Sequence, residues 1–387
     1  MSRFLFVVPP LAGHVNPATG LAHAVTQRGH EVAWACAEGF IRPFVGPEAL
    51  VFRTGMRLYR PQAHHGLAAL KSLWAEFVVP FTRFTLPALE YAVASWRPDV
   101  IVVDQHAPAG AIVAWRHGLP WASLAVTTME LGSPFAVLPK VDAWIRDQCA
   151  AICAEAGLPA DGTFDPRFSP HLVLACTTQA LAGTAPFPPQ YVLAGPMLDG
   201  RRHRSDFPWE WLDPRRQHVA VTMGTLATDI TQAFHRTAAQ ALEPLADRLQ
   251  AIVVAPRGAL PDPPPHILVV PRVPLLALMP QLNAVVCHGG LNTVSEALTH
   301  GVPLVIAPIR HDQPVNAARV VAAGAGLRLR FARVRAQQMR DAVTTVLDDP
   351  SYRKAAGQVR DAFAAAGGAA TAAEHLETLA QAAAGAA

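Results

Sequence analysis

The sequence predicts an α/β protein of two facing, doubly wound parallel domains with a cleft between them. Short apolar strand-like runs alternate with helical segments from the first residues onward. The alternation stops at a polar, aperiodic stretch near residue 200 and then begins again. The 387 residues are also more than one core usually holds, since domains run to roughly 100 to 200 residues. The expected domains are 1–198 and 217–350, joined by a linker at 199–216 and followed by helices and a tail at 351–387.

In the first half, strands are expected at 3–8, 31–36, 49–53, 99–103, 120–126, 171–176 and 190–193. The opening helix is signposted by Asn16 as a cap, Pro17 at the first helical position and Gly29 just past the end. The stretch PMLDGRRHRSDFPWEWLDPRR, 196–216, shows no period and reads as the linker. In the second half, strands at 218–223, 250–255, 267–270, 283–287 and 302–307 alternate with helices near 229–248, 292–300, 314–323 and 335–348. From about 351 the chain is Ala-rich and helical by propensity, broken by Gly367-Gly368, and expected to end frayed. No short repeat argues for a solenoid.

Composition narrows the function classes. With 51% hydrophobic and 16% charged residues, the chain is globular with large interiors. A net charge of +3 is too small to suggest a nucleic-acid partner, and the clustered Arg201, Arg202, Arg204, Arg215 and Arg216 read as a solvated linker. No apolar run approaches the roughly 18 residues of a spanning helix. Pro9-Pro10 interrupts Phe4–Val8 before a signal core forms. A cytoplasmic protein without an integral membrane segment is expected. Five cysteines without CxxC spacing fit buried thiols in a reducing compartment. Cys149 and Cys153 lie four apart on an expected helix but lack a second ligand pair for a metal.

The loop after the first strand reads PPLAGHVNP, residues 9–17. In a doubly wound domain this loop lies at the carboxyl edge of the sheet, where ligands bind. A dinucleotide site would place GxGxxG there, but a single Gly13 precedes His14. The loop suits something other than cradling phosphate.

The phosphate-type signal is CHGGLNTVSEALTHGVPLVIAPIRHDQP, 287–314. A buried strand ends at Cys287-His288, two glycines allow a tight turn, and a helix opens at Asn292 or Thr293 with unpaired N–H groups aimed at the strand edge. Gly289 and Gly290 remove side chains that would block an anion. His288 is placed to donate a hydrogen bond, and Asn292 and Thr293 add polar contacts. A bare strand-turn-helix junction would explain the glycines alone, and His288 tips the reading towards phosphate. Thr293-Val294-Ser295-Glu296 matches a capping box, and Glu296 equally suits a ribose hydroxyl.

HGGLNTVSEAL followed by PIRHDQP resembles the nucleotide-sugar signature of the inverting two-domain glycosyltransferases that modify lipids and natural products. The likeness is nearest to bacterial zeaxanthin glucosyltransferases, with macrolide and plant secondary-metabolite enzymes further off. PPLAGHVNP and VVDQHAPAG, 102–110, fit the same family, and the resemblance runs from Phe4 to about Asp361, weakest at 55–95 and 130–170. It implies a GT-B fold and an acceptor oxygen that must lose its proton. An imidazole, ordinarily titrating near neutrality, suits that task. His14 would be the base, and the resemblance pairs it with Asp104, which would fix its tautomer.

The leaving diphosphate would be stabilised by His288, the helix start at 292 and the Gly224-Thr225 turn. The resemblance places Val273 beside the nucleobase, where small differences decide between uridine and thymidine. It also places Asp312 and Gln313 on the donor hexose, which favours a fully hydroxylated sugar such as glucose; the alternative is that Asp312 caps the helix beginning near Pro314. No Asp-x-Asp pair is present, so neither a metal nor a cofactor is expected, the nucleotide sugar being a substrate. His64, His65, His106 and His311 lack ligand-like spacing and read as surface or acceptor-pocket residues. Trp74, Phe77, Phe81 and Phe84 recur at helical spacing, a core face or, if part of it lines the cleft, a sign of an apolar small-molecule acceptor. Two other classes fit the sequence. One is another enzyme on this scaffold, an epimerase or a cell-wall glycosyltransferase with a more glycine-rich first loop. The other is an inactive nucleotide-sugar-binding protein, disfavoured because His14, Asp104 and the donor motif occur together.

Overall fold

The computed structural model describes residues 1–386 apart from 60–63, 65, 129–130, 132–137, 160–162, 184–185, 201–205 and 225–229. Thr225, His65 and the arginines at 201, 202 and 204 lie outside the described residues.

The first sheet has seven parallel strands: β1 (Arg3–Val7), β2 (Glu31–Cys36), β3 (Leu50–Arg53), β4 (Val100–Asp104), β5 (Trp121–Ala125), β6 (Leu172–Ala175) and β7 (Tyr191–Leu193), in the order β3-β2-β1-β4-β5-β6-β7. The second has six: β8 (Gln217–Thr222), β9 (Leu249–Val254), β10 (Ile267–Val270), β11 (Ala284–Cys287), β12 (Leu304–Ile306) and β13 (Gly326–Arg328), in the order β10-β9-β8-β11-β12-β13. All pairings are parallel. Parallel strands covered on both faces are apolar throughout. Accordingly Phe4, Leu5, Phe6, Val100, Ile101, Val102, Val219, Val221, Val285 and Val286 have almost no exposed surface.

In both sheets the strand order reverses beside the first strand, between β1 and β4 and between β8 and β11. Such a reversal opens a crevice at the carboxyl ends of the strands. The two crevices are where the PPLAGHVNP and CHGG segments leave their strands.

The expected frayed end is corrected. The helix Gly368–Ala386 returns to the first lobe, and Ala369, Ala372, Ala373, Leu376 and Ala380 join one buried cluster with Val15, Ala18, Leu21, Ala22 and Val25 of the helix Ala12–Gln27. Glu377 accepts hydrogen bonds from Arg28 and His30, which hold its carboxyl down at about 2. An alanine-rich face suits this closeness, because small side chains let two helices approach. Among the described residues no helix is long and apolar enough to cross a membrane.

Candidate active site

Val7 of β1 pairs with Val103 of β4, so the segments leaving these strands emerge side by side. One of them is the helix Ala12–Gln27, which starts earlier than Asn16 and Pro17 suggested: Leu11 is its N-cap and Pro17 lies inside it. His14 therefore stands in the first turn of a helix. Its Nδ1 meets the Asp104 carboxylate at 2.8 and 3.0 Å, with the side chains 14% and 0% exposed. Asp104 also accepts the backbone N–H of His106 at 2.8 Å. A carboxylate fixed in this way orients Nδ1–H towards itself and leaves Nε2 as the proton-accepting nitrogen.

His106 is neither a surface residue nor remote from partners. It is buried, its ring lies 4.8 Å from that of His14, and Trp74 meets it edge-on at 6.3 Å. His14, Asp104 and His106 bring ligand-type atoms within 4.8 Å of one another, a grouping made by the sheet and invisible in chain spacing. A cation could enter it only by taking the nitrogen and carboxylate that hold each other.

In the second lobe Cys287 pairs with both Thr222 and Ile306. The turns after β8, β11 and β12 therefore meet. The glycines serve the His288 ring directly: a Cβ on Gly224 or on Gly290 would lie 2.6 Å from its Nε2. Gly289 has φ +86, and a Cβ there would strike Ile306. Burial pushes His288 down to about 4, and Arg310 adds to this against the opposing Thr222 carbonyl. The ring is neutral near pH 7 and presents a single N–H.

The following helix runs Leu291–Thr299 with Gly290 as N-cap and no side-chain cap bond. Thr293 is thus inside the first turn and the capping-box reading of Glu296 is overturned, because the chain turns helical directly off the glycines. Glu296 is nonetheless buried. Thr293 is half-buried at the same helix start, and Val273 is half-buried in the loop after β10.

Asp312 stands at the N-cap of the helix Gln313–Ala322 but makes no side-chain cap bond. Its Oδ2 accepts instead from Asn316 at 2.9 Å. Burial raises its carboxyl, while Asn316 and the nearness of His14 and His106 pull it back. Gln313 Oε1 accepts the backbone N–H groups of Ile309 and Arg310 at 2.8 and 2.9 Å, so it braces the loop that carries Arg310. Asn316 Nδ2 also donates to the Gly289 carbonyl at 2.8 Å, which ties the HGG turn to the HDQ loop.

The lobes touch through named polar contacts. Asn292 Nδ2 donates to the Gly13 carbonyl at 3.0 Å, Thr128 Oγ1 donates to Asn316 Oδ1 at 2.6 Å, and Tyr59 OH lies 3.0 Å from His311 Nε2. Burial pushes His311 down to about 3, with Arg310 and three other histidines adding to it, so the ring that meets Tyr59 is neutral near pH 7. His311 also holds φ +55, a left-handed conformation that non-glycine residues rarely take.

The structure thus gathers His14, Asp104, Gly224, His288, Gly289, Gly290, Asn292, Asp312 and Gln313 at the facing crevices. Sequence reasoning missed Arg310, 1% exposed, and Asn316, 0% exposed. The first was legible as a lone cation between a strand end and HDQ, the second as an amide four residues after Asp312 on one helical face. The aromatic stripe divides: Trp74, Phe77 and Phe81 are buried, Phe84 is 47% exposed.

Two doubly wound lobes, with the turns where strand order reverses facing each other, define the GT-B architecture. Residues 240–379 match the family model described as the C-terminal domain of erythromycin biosynthesis protein CIII-like proteins. The chain is 30% identical to 4′-demethylrebeccamycin synthase of Lentzea aerocolonigenes, over 94% of this chain and 96% of that one. It is 29% identical to demethyllactenocin mycarosyltransferase of Streptomyces fradiae, over 98% and 87%. The solved glycotransferase of kitacinnamycin superposes with a TM-score of 0.81 at 25% identity, covering 98% and 99% of the two chains. The chain belongs to the natural-product glycosyltransferase family.

Proposed function

We propose that this enzyme moves a hexose from a UDP- or dTDP-sugar to a hydroxyl of an apolar small-molecule natural product, with inversion at the anomeric carbon. The observation that carries the reading is the His14–Asp104 pair at one crevice, facing the His288 turn at the other. The acceptor oxygen attacks the anomeric carbon, its proton passes to His14 Nε2, and the bond to the diphosphate breaks. Asp104 then faces an imidazolium and stabilises it.

The negative charge left on the diphosphate would be met by the His288 ring, the helix start at 291–293, the turn at Gly224 and the buried Arg310 guanidinium. Val273 would contact the base, Glu296 the ribose, and Asp312 with Gln313 the hexose hydroxyls. The acceptor reading draws on the natural products in the relatives' names. This reading calls for no metal ion.

The test is to incubate the enzyme with UDP-glucose or dTDP-glucose and a panel of apolar hydroxylated acceptors. Acceptor-dependent release of the nucleotide diphosphate and a β-linked product from an α-linked donor are expected. A product with retained configuration would overturn the mechanism.

A further inference from the structure

In an α-helix each carbonyl accepts the N–H four residues on. For Gly13, in the first turn of the His14 helix, that residue is Pro17, which has no N–H and whose ring presses the same carbonyl outward. The helix therefore leaves one carbonyl unclaimed, immediately before His14. Across the cleft Asn292 sits in the first turn of the helix Leu291–Thr299 and donates Nδ2 to that carbonyl at 3.0 Å.

We propose that Asn292 is a positioning residue, whose amide docks on the carbonyl that Pro17 withholds from the helix and so sets His14 against the HGG turn. This rests on the reading of the cleft given above, but reassigns Asn292 from the donor phosphate to the opposite lobe. The geometry favours that assignment because one of the two N–H groups of the Asn292 amide is already given to this carbonyl. Since the contact is solvent-exposed, its loss is read in rate and hardly in stability. A base misplaced by about 1 Å costs on the order of 10²-fold in rate.

The experiment compares Asn292→Ala, Asn292→Asp, Pro17→Ala and the Asn292→Ala/Pro17→Ala double variant. The readouts are kcat at saturating donor and acceptor, calorimetric affinity for UDP and dTDP alone, and melting temperature. Asn292→Ala is expected to lower kcat by roughly tenfold or more with nucleotide affinity within about twofold. Asn292→Asp, which opposes two acceptors, should be slower still. Pro17→Ala restores the helical N–H and draws the carbonyl back, so it should lower kcat while the melting temperature holds or rises. The double variant should be no worse than the worse single one, because both act on one carbonyl.

Additive losses, unchanged kcat in either single variant, or a fall confined to nucleotide affinity would each overturn the proposal. His14→Ala measured in parallel separates the two readings. Full turnover there removes the base assignment, while non-additivity of Asn292 and Pro17 stands or falls by itself.

Discussion

Asp104 holds His14 from beneath: its carboxylate, wholly buried at the end of β4, faces Nδ1 at 2.8 Å and takes the His106 N–H at the same distance. The carboxylate is thereby fixed on two sides. His14→Ala is expected to lower turnover by roughly 10²-fold or more, the scale of general-base loss, with nucleotide affinity nearly intact. Asp104→Asn should act on rate in the same way. The double variant should be little worse than the worse single one, since the two residues work as a unit. Steady-state kinetics beside calorimetry check this, and near-normal turnover in His14→Ala would end the assignment.

His288→Ala should weaken binding of UDP or dTDP by about 1 to 3 kcal/mol, the range for a hydrogen bond to a charged group. Gly290→Ala gives an independent view. Its φ of −62 accommodates alanine, so the collision of the new methyl with the His288 ring is the main objection to it. A comparable loss of affinity in both variants is expected. Unchanged affinity in both would remove His288 from the phosphate site.

Asp312→Ala and Gln313→Ala should each lower kcat/KM for the natural sugar nucleotide while sparing affinity for the free nucleotide diphosphate, because a site built to bond hydroxyls discriminates by what it leaves unpaired. Gln313→Ala should also lower the melting temperature, since it frees the N–H groups of Ile309 and Arg310. Donor profiles across glucose, galactose and deoxysugars decide the matter. Equal losses for every donor would leave the pair purely structural.

Acid should destabilise the fold through its buried rings. His288 falls from the ordinary 6.5 to about 4, and His311 to about 3. Below about pH 6.5 the unfolded chain takes up protons that the folded chain refuses, so stability falls as the pH drops through this window and levels off below the folded values. The melting temperature should decline between pH 7 and 4, and His311→Gln should flatten that decline. A bound nucleotide diphosphate, whose charge favours protonated His288, should also flatten it. A pH-independent melting temperature over this range would contradict the burial of both rings.

Transfer is expected to survive EDTA, because the proposed reading has His288, Arg310 and the helix start meet the leaving charge. Turnover with EDTA and with added Mg²⁺ checks this. A loss that Mg²⁺ restores would bring a cation into the donor site.

The strands were legible because fully covered parallel strands are continuous apolar runs. The exception is β13, Gly326-Leu327-Arg328, whose single apolar side chain forms no run. Helix starts were less legible. Asn16-Pro17 and Thr293–Glu296 offer good local capping chemistry, yet Leu11 and Gly290 take the cap positions, since the turn off the strand decides where helical geometry begins. His288 could be read because it follows directly on β11, and His14 because it lies in the first segment leaving β1. The contacts Tyr59–His311 and Thr128–Asn316 join residues 252 and 188 positions apart, and no local pattern encodes such a meeting.

The return of the helix Gly368–Ala386 to the first lobe has a consequence for how the chain is made. In connectivity the second lobe is an insertion between β7 and the helix that completes the first lobe's core. The ribosome therefore releases β1–β7 while Ala18, Leu21, Ala22 and Val25 still lack the cover that Ala373 and Leu376 give them. The second lobe, all of whose strands lie between residues 217 and 328, is ready to fold as a unit first. A nascent chain stopped between 350 and 368 would carry those strands in full beside a first lobe with an uncovered apolar face, the kind of surface that recruits chaperones or aggregates.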